Sequence, residues 1–209
     1  MIFEQIPIEH DRNFAYIVAD EKTKEAVLVD PGYGGEQLVA AIEQKKLDLK
    51  YVINTHSHPD HTSDNEIVIR ATGAKLVAYG SGDVPVKDGD VLEVGGVELK
   101  IIHTPGHTPG DICILAENKL MTGDTLFVGK VGGTGFGDDA RTEFDSLHRL
   151  LDTLDDAVEV WPGHDYGVRP SSTIGDERRE NPFLVRTDFD DFVHLKKTWA
   201  EYKAKHGIK

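Results

Sequence analysis

The segment Thr55-His56-Ser57-His58-Pro59-Asp60-His61 sets three imidazoles and a carboxylate side by side, directly behind the apolar run Tyr51-Val52-Ile53. Imidazole and carboxylate are ligands for zinc or iron, and no thiolate accompanies them here. In an extended strand, positions i and i+2 face the same side, so His56 and His58 are expected to converge on one ion. Asp60 and His61 follow a proline, leave the strand direction and can serve a second ion alongside. A loop of solvated histidines would not need so many ligand atoms gathered behind a buried strand.

Three further segments repeat one pattern, an apolar strand, a glycine turn and then a lone ligand residue. They are Ile101-Ile102-His103-Thr104-Pro105-Gly106-His107, Leu120-Met121-Thr122-Gly123-Asp124 and Val160-Trp161-Pro162-Gly163-His164. Strand ends at one sheet edge are where open α/β structures place their sites, and glycine lets backbone approach closely. Singly, each is an ordinary turn. With the first cluster they supply the complement that two metal ions need. Two divalent ions ~3.5–4 Å apart lower the pKa of a shared water and clamp attacking and leaving atoms. Two dications facing two aspartates and a hydroxide keep a net positive charge, which favours anionic substrates. If one metal alone binds, Asp60 is free to act as general base.

Around these segments the chain alternates strands and helices. Asn13 to Asp20 and Glu25 to Asp30 read as a hairpin, and Leu38, Ala41 and Ile42 mark a helix running to about Lys46. A strand-rich stretch covers Lys75 to Leu120. Phe144, Leu147, Leu151 and Leu154 form the stripe of a second long helix, and Ala157 to Trp161 is a strand. Phe192, Leu195, Trp199 and Tyr202 predict one last helix docked on the body. Sheets packed between helices follow from this alternation, although spacing does not give the strand order.

Composition narrows the function classes. The chain has 209 residues, enough for one ordinary domain with a proper core. Lys and Arg total 23 against 37 Asp and Glu, a formal charge of −14, so nucleic acid is not an expected partner. No apolar run approaches the ~18 residues needed to cross a bilayer, and Met1-Ile2-Phe3-Glu4-Gln5 lacks the basic and apolar regions of an export signal. The expectation is a soluble cytoplasmic protein without a membrane partner. The one cysteine, Cys113, lies in Ile112-Cys113-Ile114-Leu115 and reads as a buried strand cysteine in a reducing compartment.

The ordered motifs His-x-His-x-Asp-His, Thr-Pro-Gly-His, Gly-Asp-Thr-Leu-Phe and Pro-Gly-His resemble the metallo-β-lactamase-fold superfamily from about Phe14 to Pro182. The resemblance implies an α/β fold, a four-layer αββα sandwich with metals at one edge of the sheets. It implies a catalytic domain over residues 1–170 and a C-terminal helical extension, 171–209, packed on the same domain. By matching position, His56, His58 and His107 would hold a first metal, Asp60, His61 and His164 a second, and Asp124 would bridge them. The expected cofactors are two divalent ions, zinc first, with iron and manganese as the other options. His10, His103, His148, His194 and His206 match no ligand position.

Within the superfamily, two groups are similar. Glyoxalase II matches at Thr55 to His61, Gly123 to Phe127 and Gly163 to Tyr166, which implies cleavage of a glutathione thioester by metal-bound hydroxide. Asp60 and Asp124 are then the catalytic carboxylates. Tyr166 and Lys130, the one cation of the loop after Gly123-Asp124, are the candidate contacts to an anionic or thiol-derived small molecule. The alternative, a persulfide dioxygenase using one iron, resembles His164-Asp165-Tyr166, Ser172 to Glu177 and Asn181-Pro182. The expected activity is metal-dependent thioester or ester hydrolysis.

Overall fold

Alternating apolar residues and positive-φ turns build a first sheet from the N-terminal half. Strands β1 (Ile2–Pro7), β2 (Phe14–Ala19) and β3 (Glu25–Val29) form an antiparallel meander. Helix α1 (Gly35–Gln44) then returns the chain to β4 (Asp48–Ile53), which lies parallel to β3. The short α2 (Pro59–Thr62) and α3 (Asn65–Thr72) lead to β5 (Lys75–Tyr79), and β6 (Ser81–Gly82) to β7 (Val84–Val86). The sheet order is β1-β2-β3-β4-β5-β7. The computed structural model describes residues 1–207, so the last two positions of the expected 171–209 extension lie outside the described residues.

The second half supplies β8 (Val91–Val94), β9 (Val97–His103), β10 (Ile112–Ala116) and β11 (Lys119–Gly123) as consecutive antiparallel neighbours. A two-stranded ribbon, β12 (Leu126–Phe127) and β13 (Lys130–Val131), precedes the long helix α4 (Asp138–Thr153). Strand β14 (Glu159–Pro162) pairs parallel with β11, and β15 (Ser172–Thr173) closes the order β15-β14-β11-β10-β9-β8. Helices α5 (Ile174–Glu180), α6 (Phe189–Lys197) and α7 (Trp199–His206) complete the described chain.

The two-residue period of the strands sorts side chains into three apolar layers. Tyr16, Val18, Val27 and Ile53 of the first sheet meet Leu99, Ile101, Ile112 and Ile114 of the second. The opposite parity, Ile17, Leu28 and Val52, packs on Leu38 and Ile42 of α1 and Val68 of α3. On the outer face of the second sheet, Ile102, Cys113, Leu120 and Val160 pack on Phe144, Leu147 and Phe192. Helix, sheet, sheet, helix is the resulting order: an αββα sandwich.

Two local expectations are corrected. His56 and His58 stand beyond the end of β4, so a loop, not strand alternation, turns them toward one another. The expected last helix is broken at Thr198 (φ −107°, ψ 15°) into α6 and α7. The Thr198 hydroxyl donates to the His194 carbonyl at 2.8 Å, a local bond that competes with regular helix. Phe192 and Leu195 are buried by α6, whereas α7 is held less deeply, through Trp199 and Tyr202.

Candidate metal centre

The seven expected ligand residues sit where strands of both sheets end. β4 runs into His56, His58, Asp60 and His61, the last two carried by α2, whose first residue is Pro59. From the second sheet, β9 leads to His107, β11 to Asp124 and β14 to His164. Gly123 takes φ +48°, and a Cβ there would lie 2.4 Å from Thr55 Oγ1, so the two sheet ends approach only because this residue is glycine.

His56 Nε2 lies 3.1 Å from His58 Nδ1, which lies 2.9 Å from His107 Nε2. The outward nitrogens fix which of these atoms carry protons. His107 Nδ1 is 2.7 Å from the Gly133 carbonyl, which can only accept, so Nδ1 is the protonated nitrogen. Thr55 Oγ1 donates to Asp30 Oδ2 at 2.6 Å and accepts at 3.1 Å from His56 Nδ1. Nε2 of both rings is therefore left with its lone pair, facing His58 Nδ1. Burial, aided by the charge on His61, pushes His56 down to about 3, which keeps that lone pair free at neutral pH.

A second set lies beside the first. His61 Nε2 and His164 Nε2 are 3.3 Å apart, and Asp60 Oδ2 is 3.5 Å from the former and 3.3 Å from the latter. His61 Nδ1 donates to Asp30 Oδ2 at 3.0 Å and His164 Nδ1 to the Asp11 carbonyl at 2.9 Å, so again Nε2 faces inward. Asp124 stands between the sets, with Oδ1 3.3 Å from His61 Nε2 and Oδ2 3.7 Å from His107 Nε2 and 3.4 Å from His164 Nε2. Burial pushes the Asp124 carboxyl up, but His164 and His61 outweigh it and hold it well below the carboxylate range. Burial likewise opposes a charge on His61 and His164, yet Asp30 and Asp124 around the one and Asp124 beside the other raise both. The locus attracts positive charge.

The donor set fits divalent metal. The unprotonated Nε2 atoms of His56 and His107 face His58 Nδ1, Asp124 Oδ1 is buried with no hydrogen-bond partner, and a cation could take the place of the protons that the carboxylates favour on His61 and His164. His56/His58/His107, His56/His61/Asp124 and Asp60/His61/His164 each could hold an ion. Sequence reasoning missed the groups that aim these ligands. Asp30 directly follows β3 at φ +51° and takes Thr55 N at 2.8 Å as well as Thr55 Oγ1 and His61. It follows an apolar strand and precedes Pro31-Gly32, a strand-end signature like the one that singled out Asp124. Asn13 Nδ2 donates to Asp60 Oδ2 at 3.2 Å.

The sequence matches the Metallo-beta-lactamase superfamily over residues 10–84 and 77–164, which takes in every one of these ligand positions. The chain belongs to the metallo-β-lactamase superfamily. Among curated members, it is 40% identical over 166 residues to a hydroxyacylglutathione hydrolase of Polaromonas sp., a match covering 74% of this chain and 63% of that enzyme's length. It is 32% identical over 197 residues to the human mitochondrial persulfide dioxygenase ETHE1, covering 87% of this chain and 75% of the relative. The crystal structure of ETHE1 from Myxococcus xanthus superposes with a TM-score of 0.88 at 34% identity, over 95% of this chain and 91% of that one. This superfamily member is thus related to both groups, although it spans less than two thirds of the length of the Polaromonas hydrolase.

The two expected substrate contacts adjoin the centre. The Tyr166 ring stacks on His164 with centroids 4.5 Å apart, and its hydroxyl donates to Asp11 Oδ2 at 2.7 Å. Lys130 Nζ lies 4.5 Å over the Tyr166 ring, with Arg12 4.9 Å from the same centroid. On another flank of the candidate ligands, a cleft of about 500 Å³ is lined by His56, Ser57, Tyr79, Thr108 and Pro109.

Proposed function

We propose that this superfamily member is a binuclear metal-dependent hydrolase, hydroxyacylglutathione hydrolase-like, that cleaves a thioester or ester. The observation that carries it is Asp124, an ionised buried carboxylate facing ligand atoms of both sets, with each set complete. His56, His58 and His107 would hold one ion, Asp60, His61 and His164 the other, zinc being the metal these nitrogen and oxygen donors suit. When bound, the ions supply an ionised water near neutral pH and Lewis-acid stabilisation of the leaving group. Asp124 keeps the two seats together by placing negative charge between them. Asp60, held by Asn13, would be a ligand of the second ion, and would be free to take a proton only if a single metal binds. Lys130 and the edge of Tyr166 form a cationic lip for the anionic end of a thiol-derived substrate.

The proposal assigns residues 1–170 to the catalytic domain and 171–209 to a helical extension packed upon it. A cytoplasmic setting is supported by the single buried Cys113, and a small-molecule substrate, not nucleic acid, by the acidic charge. The second reading is a mononuclear iron persulfide dioxygenase, favoured by the extent of the Myxococcus ETHE1 superposition, 95% of this chain. Turnover of a glutathione thioester, followed as thiol release, separates the two. Equal rates with and without oxygen, and two zinc ions per chain from defined medium, support the hydrolase. One iron per chain and oxygen uptake matching loss of glutathione persulfide, without thioester cleavage, overturn it.

A further inference from the structure

Lys196 belongs to α6, beyond the residues of the family match, yet it reaches the glycine-rich loop that follows β13. Its Nζ lies 2.5 Å from Glu143 Oε2, with the two side chains 6% and 1% exposed. The ammonium also donates to the Gly132 carbonyl at 2.8 Å and to Thr134 Oγ1 at 2.9 Å. Two hydrogen bonds to the loop and one ion pair to Glu143 thus hold the ammonium. Between the two anchored loop residues stands Gly133, whose carbonyl accepts from His107 Nδ1.

The packing leaves this loop little room to move. A Cβ on Gly132 would lie 2.2 Å from the Asp124 carbonyl oxygen, 3.0 Å from Glu143 Oε1 and 3.1 Å from His107 Cβ. The loop is therefore wedged between the buried ion pair and two of the ligand residues. Glu143 also braces the turn before His107: a Cβ on Gly106 would meet its Cβ at 2.4 Å, and Ser146 Oγ donates to the Pro105 carbonyl at 2.7 Å. A buried ion pair seldom stabilises a fold more than apolar side chains of the same volume, so stability alone does not account for this one.

We propose that Lys196, clamped by Glu143, is a positioning residue for His107. It fixes Gly132 and Thr134 so that the Gly133 carbonyl between them holds His107 Nδ1–H, which leaves Nε2 deprotonated and aimed at the metal seat. Outer partners of this kind set the tautomer and direction of a ligating imidazole. The inference rests on the metal-centre reading and deepens it, since Lys196 is given a role in metal capture from a helix that carries none of the ligands.

The test is a zinc titration against a chromophoric chelator, with melting temperature measured in parallel. It compares wild type, His107→Ala, Lys196→Met and the double variant Glu143→Leu/Lys196→Met. Lys196→Met should weaken zinc binding about 10–100-fold at the site that His107→Ala disables. The double variant removes both buried charges and should regain the melting temperature lost by Lys196→Met while zinc stays weakly held. In long-range proton–nitrogen spectra of the zinc-loaded protein, the His107 Nδ1–H signal should exchange faster in Lys196→Met than in wild type. Wild-type zinc affinity in Lys196→Met, or zinc affinity recovering together with melting temperature in the double variant, overturns the proposal. Wild-type affinity in His107→Ala would instead overturn the metal-centre reading itself.

Discussion

Replacing Asp30 by asparagine tests how the second ligand set is held. The backbone tolerates the change, because asparagine accepts the left-handed φ of +51° as aspartate does. Hydrogen bonding does not. One amide oxygen can still take Thr55 N, but the NH2 group would meet the His61 Nδ1–H at 3.0 Å donor against donor, and Thr55 Oγ1 at 2.6 Å would have to turn from donating to accepting. Asp30 is 3% exposed, so water cannot repair the mismatch. Breaking one side of a buried charged pair costs about 3–5 kcal/mol. At roughly 2–4 °C per kcal/mol for a chain of this size, even the lower figure lowers the melting temperature by about 6–12 °C. His61 also loses the acceptor that orients its ring, so metal held by Asp60, His61 and His164 should weaken about 10–100-fold. Calorimetry of the metal-free protein reads the first effect and a chelator titration the second. A melting temperature within about 2 °C of wild type and unchanged metal affinity would show that Asp30 does not hold His61, contrary to the rule that broken buried charge pairs are costly.

Asp124→Asn keeps the side-chain shape but removes the negative charge between the two seats, so one metal should be lost and turnover should fall ~10²-fold or more, measured by metal analysis and thioester cleavage. Two tightly held ions and full activity in the Asp124→Asn variant would remove Asp124 from the bridge. Burial lifts the Cys113 thiol to about 12, so thiolate accumulates in the folded protein only as the pH nears that value. At about pH 8, below the ordinary thiol range, the native chain should resist iodoacetamide and react once unfolded in urea; rapid native labelling would contradict the burial.

The candidate side-chain ligands are legible in the sequence because each follows an apolar strand, and a strand end cannot bury an imidazole or carboxylate without a partner. The sandwich needs more. Period-2 alternation identifies strands such as Phe14–Ala19, but Tyr16 and Ile17 are both large and buried, so nothing local says which faces the other sheet and which the helices. Strand order is beyond reach for the same reason, because β11 pairs with β14 across the whole of α4. Asp30 carries the strand-end signal, yet the proline and glycine after it also describe an ordinary turn. The acceptors that orient His107 and His164 are backbone carbonyls of Gly133 and Asp11, which every residue type offers equally. Lys196 sits on an amphipathic helix among other charges, and only the packing reveals that it points inward. The break at Thr198 is hidden because an uninterrupted apolar stripe also fits two short helices that dock in succession.

The facing imidazoles of His61 and His164, 103 residues apart in the chain, come from different sheets. An ion seated between them ties the two halves of the sandwich together and has no comparable seat in the unfolded chain. Mass action then adds to folding stability, about 2.7 kcal/mol when free metal is a hundredfold above its dissociation constant and about 4.1 at a thousandfold. That increment is a sizeable share of the whole stability of an ordinary domain. The amount of folded protein, and its resistance to proteolysis, should therefore track the free metal of its surroundings even when no substrate is present.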